Sequence, residues 1–313
     1  MRPFPDRLLA LIGLLALTAQ PASAKVLSSV AEALRLPDRE CVRPRPFDFT
    51  GDALTEDPRW WFFRDETGGT EIHSRRSGTN RLVRGSVMRI TGEMTVEKNG
   101  VRRFWSDTAV RVRDGQPQLP VGTTVSEILN GNMDFRFVRV CGVISAVIPD
   151  EVDTSVCWAT LRTAGGNIFL TLHGKWNDTN ALRARIDAEV AVTGVASPIP
   201  GLRQYLGRRI AIGTHDDIVL VKRPPEDPFD APDLTDTMQP HRQRVRGVVV
   251  AVEPTRFFME TDAGRILPVS PIAESRSHAP SFGDIVTAVG FSVPDLFRLQ
   301  LTDALVRTDG HAS

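Results

Sequence analysis

The sequence predicts an all-β protein that contains three tandem copies of one small five-stranded barrel. A turn phrase rich in threonine and glycine recurs at residues 65–69, 163–166 and 261–264. A strand-like run with one glycine precedes each turn, and a second run that ends on a glycine follows it. These glycines are Gly51, Gly142 and Gly247 upstream, and Gly92, Gly194 and Gly290 downstream. Because internal repeats decide architecture before other features do, the three copies define the expected fold.

Each copy holds five short runs that are rich in Val, Ile, Thr or Phe and bounded by Gly, Pro, Asp or Asn, which is typical of strands. In the second copy a polar stretch, residues 176–185, separates the third run from the fourth. This arrangement predicts a Greek-key barrel of the OB type. Glycine in the first strand fits such a barrel, because that strand must bend sharply to join both halves. A plain β-sandwich is the alternative architecture.

The chain length of 313 residues allows two or three domains. Two short lead-in helices are expected, one at Ser29 with Glu32 three residues on, and one near Thr124. A proline-rich acidic stretch is expected to link the second and third copies. The predicted divisions are a signal peptide at 1–24, a lead-in helix segment at 25–44, OB-like unit 1 at 45–115, a linker with a short helix at 116–132, OB-like unit 2 at 133–222, the acidic linker at 223–240, and OB-like unit 3 at 241–313.

The N-terminal segment has the three-part pattern of a secretory signal peptide. Arg2 and Arg7 precede or flank an apolar run over residues 8–17, and Ala22 and Ala24 form a small-residue cleavage site. The apolar run is short compared with the ~20 residues that span a bilayer, which favours cleavage over an uncleaved anchor. We therefore predict a periplasmic or extracellular protein without a membrane span after cleavage.

Charge and cysteine content limit the partners that the sequence predicts. The chain carries 38 basic and 38 acidic side chains, and this balance argues against nucleic acid as a partner. Cys141 and Cys157 flank Pro149, the expected centre of a hairpin, so they either form a disulfide or remain two separate thiols. Without a Cys-x-x-Cys pair or clustered histidines, neither a metal nor another cofactor is expected. The expected partner is an unknown small ligand or an envelope protein.

The densest aromatic cluster, residues 60–63, is the first candidate binding site. Alternate residues of a strand face opposite ways, so one pair would fill the core and the other could form a stacking platform. The alternative is that loops or the neighbouring unit cover this second pair. Arginines of the same unit could form a cationic patch, or a solvated face balanced by nearby acids. The ligand-binding candidates are Trp60, Trp61, Arg64, Arg84 and Arg89.

No catalytic constellation is visible in the sequence. His73 and His215 lie beside Ser74 and Asp216, but no nucleophile elbow or His-Glu-x-x-His helix brings such groups together. The sequence therefore predicts that the protein is not an enzyme.

One turn phrase and two strand phrases resemble the extracytoplasmic sensory regions of certain bacterial membrane histidine kinases. Residues 62–69 are similar to an apolar-apolar-x-Asp-x-Thr-Gly-Gly turn of those regions, and residues 138–143 and 245–249 are similar to their first strand. The resemblance covers nearly the whole mature chain and implies tandem OB-like modules after a signal segment, with a sensory role. This sequence departs from that pattern because no transmembrane helix, dimerisation helix or kinase motif follows the third unit. Either the sensory part exists alone here, or the chain is a fragment of a longer gene product.

Together these observations predict a secreted or periplasmic, non-enzymatic binding module that senses a ligand or a partner in the cell envelope. Two alternatives remain: a structural envelope adaptor, and an exported nucleic-acid or polysaccharide binder. Exposure of Trp60 or Trp61 beside Arg64 or Arg89 would favour stacking of a ligand. Burial against the second unit would favour the adaptor.

Overall fold

The protein is built almost entirely from β-strands. The computed structural model describes residues 24–55, 60–75, 84–98, 100–115, 118–173, 179–200, 205–272, 280–295 and 298–312. Within these ranges it contains 17 strands and 3 short α-helices.

The first barrel is a closed sheet with the strand order β1-β2-β3-β5-β4. Strand β1 pairs with both β2 and β4, and the parallel pairing of β3 with β5 completes the closure. Helix α1 (Val30–Arg35) precedes the barrel. The strands are β1 (Arg45–Ala53), β2 (Trp60–Arg64), β3 (Gly69–Ser74), β4 (Ser86–Val96) and β5 (Arg102–Asp114).

The middle barrel repeats this order as β7-β8-β9-β11-β10, and the pairing of β10 with β7 closes it. Two further strands extend the sheet: β6 (Val121–Gly122) lies parallel to β7, and β12 (Ile218–Lys222) pairs with β10. Helix α2 (Val125–Leu129) precedes β7, and helix α3 (Thr179–Arg183) lies between β9 and β10. The barrel strands are β7 (Phe137–Pro149), β8 (Val156–Thr163), β9 (Gly166–His173), β10 (Glu189–Pro200) and β11 (Tyr205–Ile212).

The third barrel is closed in the same order, β13-β14-β15-β17-β16. Its strands are β13 (Arg242–Val252), β14 (Phe257–Thr261), β15 (Ile266–Pro271), β16 (Asp284–Asp295) and β17 (Arg298–His311). The predicted fold of three tandem, five-stranded OB-like barrels is therefore confirmed. Lead-in helices precede the first two barrels, whereas a 3-10 turn, Pro228–Asp230, precedes the third.

The glycine of each first strand lies where that strand passes close to the end of the second strand. A Cβ at Gly51 would lie 2.3 Å from the Arg64 carbonyl oxygen, and one at Gly247 would lie 2.1 Å from that of Glu260. Gly142 is equally crowded. Any larger residue would force the two strands apart, so the repeated glycine is a steric requirement of barrel closure.

Each barrel has its own apolar core, and each core is filled by alternate residues of its strands. The first core is rich in aromatic rings, with Phe47 stacked on Phe49 at a centroid distance of 4.5 Å and Phe104 edge-on to Phe47. The middle core consists mainly of Val, Leu and Ile, and includes Val125 and Ile128 of helix α2. The third core is smaller and contains Phe257, Met259 and Leu301 among others.

The possible disulfide between Cys141 and Cys157 is not formed. Cys141 pairs with Ala191 of β10 and is exposed, whereas Cys157 pairs with Pro149 and is buried. The reason is that only the second half of the long strand β7 pairs with β8, while its first half pairs with β10.

No helix in the described part of the chain has the length and apolar character needed to cross a bilayer. The predicted signal peptide, residues 1–24, lies outside the described residues except for Ala24.

Candidate functional site

The aromatic strand β2 divides its side chains between the core and the boundary with the second barrel. Trp61 and Phe63 point inward and are 0% exposed. Phe62 points outward but is also buried, in an apolar cluster with Phe137 and Val195 of the second barrel. The predicted role of Trp61 as an exposed platform is therefore wrong, because Trp61 is on the inward face. The side chain of Trp60 lies outside the described residues.

The three candidate arginines do not converge on one surface. Arg84 donates to Asp217 at 3.3 Å and stacks on Phe137 with 4.0 Å to the ring centroid, beside a cavity of about 490 Å³ between barrels 1 and 2. Arg89 makes a bidentate pair with Asp48 on the exposed face of β1 and β4. Arg64 is half-buried at the end of β2. These residues form no shared cationic patch.

A different set of side chains forms a continuous row across the boundary between barrels 1 and 2. Consecutive members of this row are in contact, and all of them project from the outer faces of β3, β5, β8, β9 and β11. We call the row the junction strip. In order, its members are Trp105, His73, Glu71, Arg209, Trp158 and Phe169.

An ion pair between the two barrels forms the centre of the junction strip. Arg209 of β11 donates to the Glu71 carboxylate of β3 at 2.9 Å and to the Ser197 hydroxyl at 3.2 Å. Burial raises the pKa of Glu71 and lowers the pKa of Arg209, and the contact between the two charges opposes both shifts. Because the Arg209 side chain is only 6% exposed, this pair is a desolvated contact between the two barrels.

His73 is a neutral member of the strip at physiological pH. Burial, together with the charge of Arg103, lowers the pKa of His73 to about 4. Nε2 of His73 lies 3.2 Å from the Arg103 guanidinium and 3.4 Å from the Glu71 carboxylate. The His73 ring also contacts Trp105 at a centroid distance of 5.3 Å.

Both ends of the strip offer partly exposed aromatic rings in fixed positions. The Trp158 indole donates to Asp150 at 3.0 Å, and the Trp105 indole donates to Thr95 at 3.3 Å. Phe169 packs edge-on against Trp158 with 6.1 Å between centroids, and it is 46% exposed. Arg209 lies 6.0 Å from the Trp158 ring centroid. The strip thus combines partly exposed aromatic rings with one buried ion pair.

The aromatic members Trp105, Trp158 and Phe169 were not singled out in the sequence, and neither was Arg209. A signal was present, because Trp158 and Phe169 each stand between two core residues of an alternating strand. Such a position predicts an outward-facing aromatic ring. The pattern could not show that the two strands would lie beside an arginine of β11. Among the described residues, no group of three or more His, Cys, Asp or Glu side chains is arranged to hold a metal ion.

No family model matches the sequence, and no curated protein matches it. Among solved structures, the fold is similar to that of a Replication Protein A heterotrimer bound to ssDNA, with 12% identity, 86% of this chain and 94% of that chain covered, and a TM-score of 0.26. It is also similar to a murine DNA binding protein bound with ds DNA, with 7% identity, 59% and 100% covered, and a TM-score of 0.27. For asparaginyl-tRNA synthetase from Pyrococcus horikoshii the identity is 13%, the match covers 34% of this chain and 24% of that chain, and the TM-score is 0.26. The chain spans only 24% of the length of that synthetase.

These comparisons correct the expectation that charge balance makes nucleic acid an unlikely partner. The structures of similar fold include the Replication Protein A complex with ssDNA and an Ifi202 HINa domain in complex with 20bp dsDNA. The expectation was wrong because net charge describes the whole chain. Nucleic-acid binding depends on the charge and the aromatic rings of one face.

Proposed function

We propose that the protein is a non-enzymatic binding module that holds single-stranded nucleic acid along the junction strip. The observation that carries the proposal is the exposed ring of Phe169, held edge-on by Trp158 and lying on the same outer face as Arg209. Bases stack on such rings, and every base has a face that can do so. Trp105 at the far end of the strip would extend the track onto the first barrel.

The strip also has a feature that favours a second ligand class. Glu71 and Asp150 place carboxylates beside the aromatic rings, and these repel phosphates but accept hydrogen bonds from sugar hydroxyls. A neutral polysaccharide is therefore the second candidate ligand. The two candidates differ in charge, so their binding should differ in salt dependence.

The proposal is tested by fluorescence anisotropy with a labelled oligothymidine of roughly 30 nucleotides, long enough for two OB barrels at about 4–16 nucleotides each. We expect saturable binding that weakens as salt increases. Phe169→Ala should reduce affinity by about tenfold, because loss of one stacked base costs roughly 1–3 kcal/mol.

The matched control is Phe282→Ala. Phe282 is 71% exposed and lies on the third barrel, away from the strip, so its loss should leave affinity unchanged. Equal effects of both substitutions, or no binding at low salt, would refute the assignment of nucleic acid to the strip. Salt-independent binding of a neutral oligosaccharide that is sensitive to Phe169→Ala would select the second ligand class.

We also propose that this binding takes place outside the cytoplasm, in a sensory or partner-binding setting of the cell envelope. The support is the signal-like pattern of residues 1–24 and the resemblance of the strand and turn phrases to extracytoplasmic sensory regions. Mass spectrometry of the protein from periplasmic and culture fractions should find a mature chain that begins at Lys25. Recovery of the uncleaved chain from the cytoplasm alone would contradict the proposed location.

A further inference from the structure

The first two barrels each seat a short helix on the same part of the sheet, and the chain leads into both in the same way. Leu27 forms a parallel bridge with Phe47 of β1, and helix α1 follows three residues later. In the second barrel, β6 pairs parallel with β7, and helix α2 follows at the same distance. The helices are capped by Ser29 and Thr124, which accept from the backbone of Glu32 and Glu127 respectively.

Both helices are held at their two ends by equivalent parts of their barrels. At the start, Val30 donates its backbone N–H to Asp65 in the turn between β2 and β3, at 2.7 Å. Ser126 of α2 donates to Gly165 in the corresponding turn of the second barrel. These turns are two of the three repeats of the turn phrase.

At the other end, an arginine from the start of the fifth strand binds the helix. Arg102 donates to the Leu36 carbonyl at 2.7 Å, and Arg208 donates to the Leu129 carbonyl at 2.8 Å. The two arginines are equivalent. Arg102 lies two residues before Phe104, which pairs with Ile72 of β3. Arg208 lies two residues before Ile210, which pairs with Leu170 of β9.

The third barrel has the same site, but its described lead-in segment contains no helix to place there. Asp233 forms the parallel bridge with Arg244 of β13, yet residues 234–241, which the structure describes throughout, contain no helix. In the third barrel Leu301 of β17 pairs with Val269 of β15. The residue two positions earlier, Leu299, is therefore the equivalent of Arg102. The arginine that holds a helix end is therefore replaced by an apolar residue.

A cleft of about 850 Å³ lies at this site in the third barrel. Its boundaries are the lead-in residues 233–236, the third copy of the turn phrase, and the start of β17. Leu234, Val245, Leu267 and Leu299 supply an apolar floor, and Arg246 and Arg298 lie on the rim. We call it the third helix seat.

The rim of the third helix seat favours a negatively charged occupant. Four arginines and three aspartates line the cleft, which leaves one positive charge in excess. Arg244 and Arg265 pair with Asp233 and Asp236 of the lead-in segment. The ion pairs of Arg246 and Arg298 are long, 3.9 Å to Asp309 and Asp295, and about half of each side chain is exposed. Arg298 also lies 5.8 Å from the Phe258 ring centroid. The guanidinium groups of Arg246 and Arg298 can bind carboxylates of an incoming chain.

We propose that the third helix seat docks a short, acidic, amphipathic helix from a partner protein. The occupant would place two apolar residues three positions apart on the floor, as Val30 and Ala33 of α1 and Val125 and Ile128 of α2 do in their own barrels. Its carboxylates would pair with Arg246 and Arg298. This site is separate from the junction strip, so a partner helix and a nucleic-acid strand can be bound at the same time.

A synthetic peptide of residues 121–134 serves as the probe, because it carries α2 together with the carboxylates of Glu127 and Asp134. The labelled peptide is titrated with the full chain and binding is followed by anisotropy. We expect saturable binding in the micromolar range, since a short peptide loses entropy when it becomes helical. Leu299→Lys in the seat should weaken binding by about tenfold or more.

The matched control is Leu220→Lys, at an exposed leucine of β12 outside the cleft, which should leave affinity unchanged. A second peptide with Ile128→Lys should not bind, and one with Glu127→Gln and Asp134→Asn should bind several-fold more weakly. Peptide binding that persists in Leu299→Lys would overturn the proposal, as would the absence of saturable binding. Self-association of the chain that Leu299→Lys abolishes, or displacement of the peptide by oligothymidine, would assign the seat to another occupant.

Discussion

The two boundaries between barrels are built from different chemistry. Between barrels 1 and 2, the contact is mainly apolar: Phe62, Phe137 and Val195 form a buried cluster, and Phe135 packs against Phe62 with 6.4 Å between centroids. A Cβ at Gly69 would lie 2.1 Å from the Cβ of Phe135, so glycine is required for this close approach. The Glu71–Arg209 pair borders the apolar cluster.

Between barrels 2 and 3, the contact is mainly polar. Arg162 is buried and donates to the backbone carbonyls of Ser292 at 2.5 Å and Gln239 at 3.1 Å. Its guanidinium and that of Arg242 both lie over the Phe291 ring. Asp187 accepts from the backbone N–H of Arg242 and contacts His241 at 3.0 Å.

The difference shows how one fold can be joined in two ways. The first boundary resembles a domain core and should hold barrels 1 and 2 as one body, which a continuous junction strip requires. The second depends on directional hydrogen bonds to main-chain atoms, so it is more sensitive to charge and pH. Three experiments can test whether the two boundaries differ in this way.

The largest effect is expected for Arg209→Met at the first boundary. The substitution leaves the Glu71 carboxylate buried without its partner, which typically costs about 3–5 kcal/mol. Urea unfolding should show the loss. The double variant Glu71→Gln with Arg209→Met should recover a large part of it, since no uncompensated charge remains. A loss that is the same in both variants would mean that packing, rather than the charge pair, sets the stability there.

A smaller effect is expected for Arg162→Met at the second boundary. The two carbonyls that Arg162 satisfies would lose their donor, at a cost of about 1–3 kcal/mol. Limited proteolysis should then release the third barrel, while barrels 1 and 2 remain joined. Cleavage between barrels 1 and 2 at the same rate would contradict the assignment of the weaker joint to the second boundary.

The smallest effect is an opposite pH dependence of the two boundaries. His73 has a folded-state pKa of about 4, below its ordinary value of 6.5, so the unfolded chain binds the proton more tightly and stability falls as pH drops through this window. The hydrogen bond to Asp187 raises the pKa of His241, so its contribution is complete below about pH 6.5 and is lost as pH rises through the folded-state pKa.

Unfolding midpoints measured from about pH 4 to about pH 8 would separate these two contributions. His73→Gln should flatten the acid side of the profile, and His241→Gln should flatten the alkaline side. For His73 the loss begins below about pH 6.5 and approaches about 3 kcal/mol only near pH 4, so it is the smallest of the three effects at neutral pH. If both substitutions flatten the same side, the two boundaries do not differ in the way described.

The repeat, the strands and the strand order of the barrels could be predicted from local sequence. Strand runs, turn glycines and the first-strand glycine act over a few residues, and they recur because each barrel meets the same steric demand at Gly51, Gly142 and Gly247. The cysteines show where this reasoning fails. Cys141 and Cys157 flank a turn, but strand β7 changes partners along its length, and that change depends on the sheet as a whole.

An all-β chain of three OB-like barrels could be predicted from local sequence, because alternation and glycine positions are properties of single strands. Which outward-facing rings are covered depends on how the barrels pack against each other. Phe62 is buried by the second barrel, whereas Phe169 stays exposed, although both stand at alternating positions of short strands. Burial of an outward-facing side chain depends on which neighbouring barrel packs against it, and the pattern of a single strand carries no information about that neighbour.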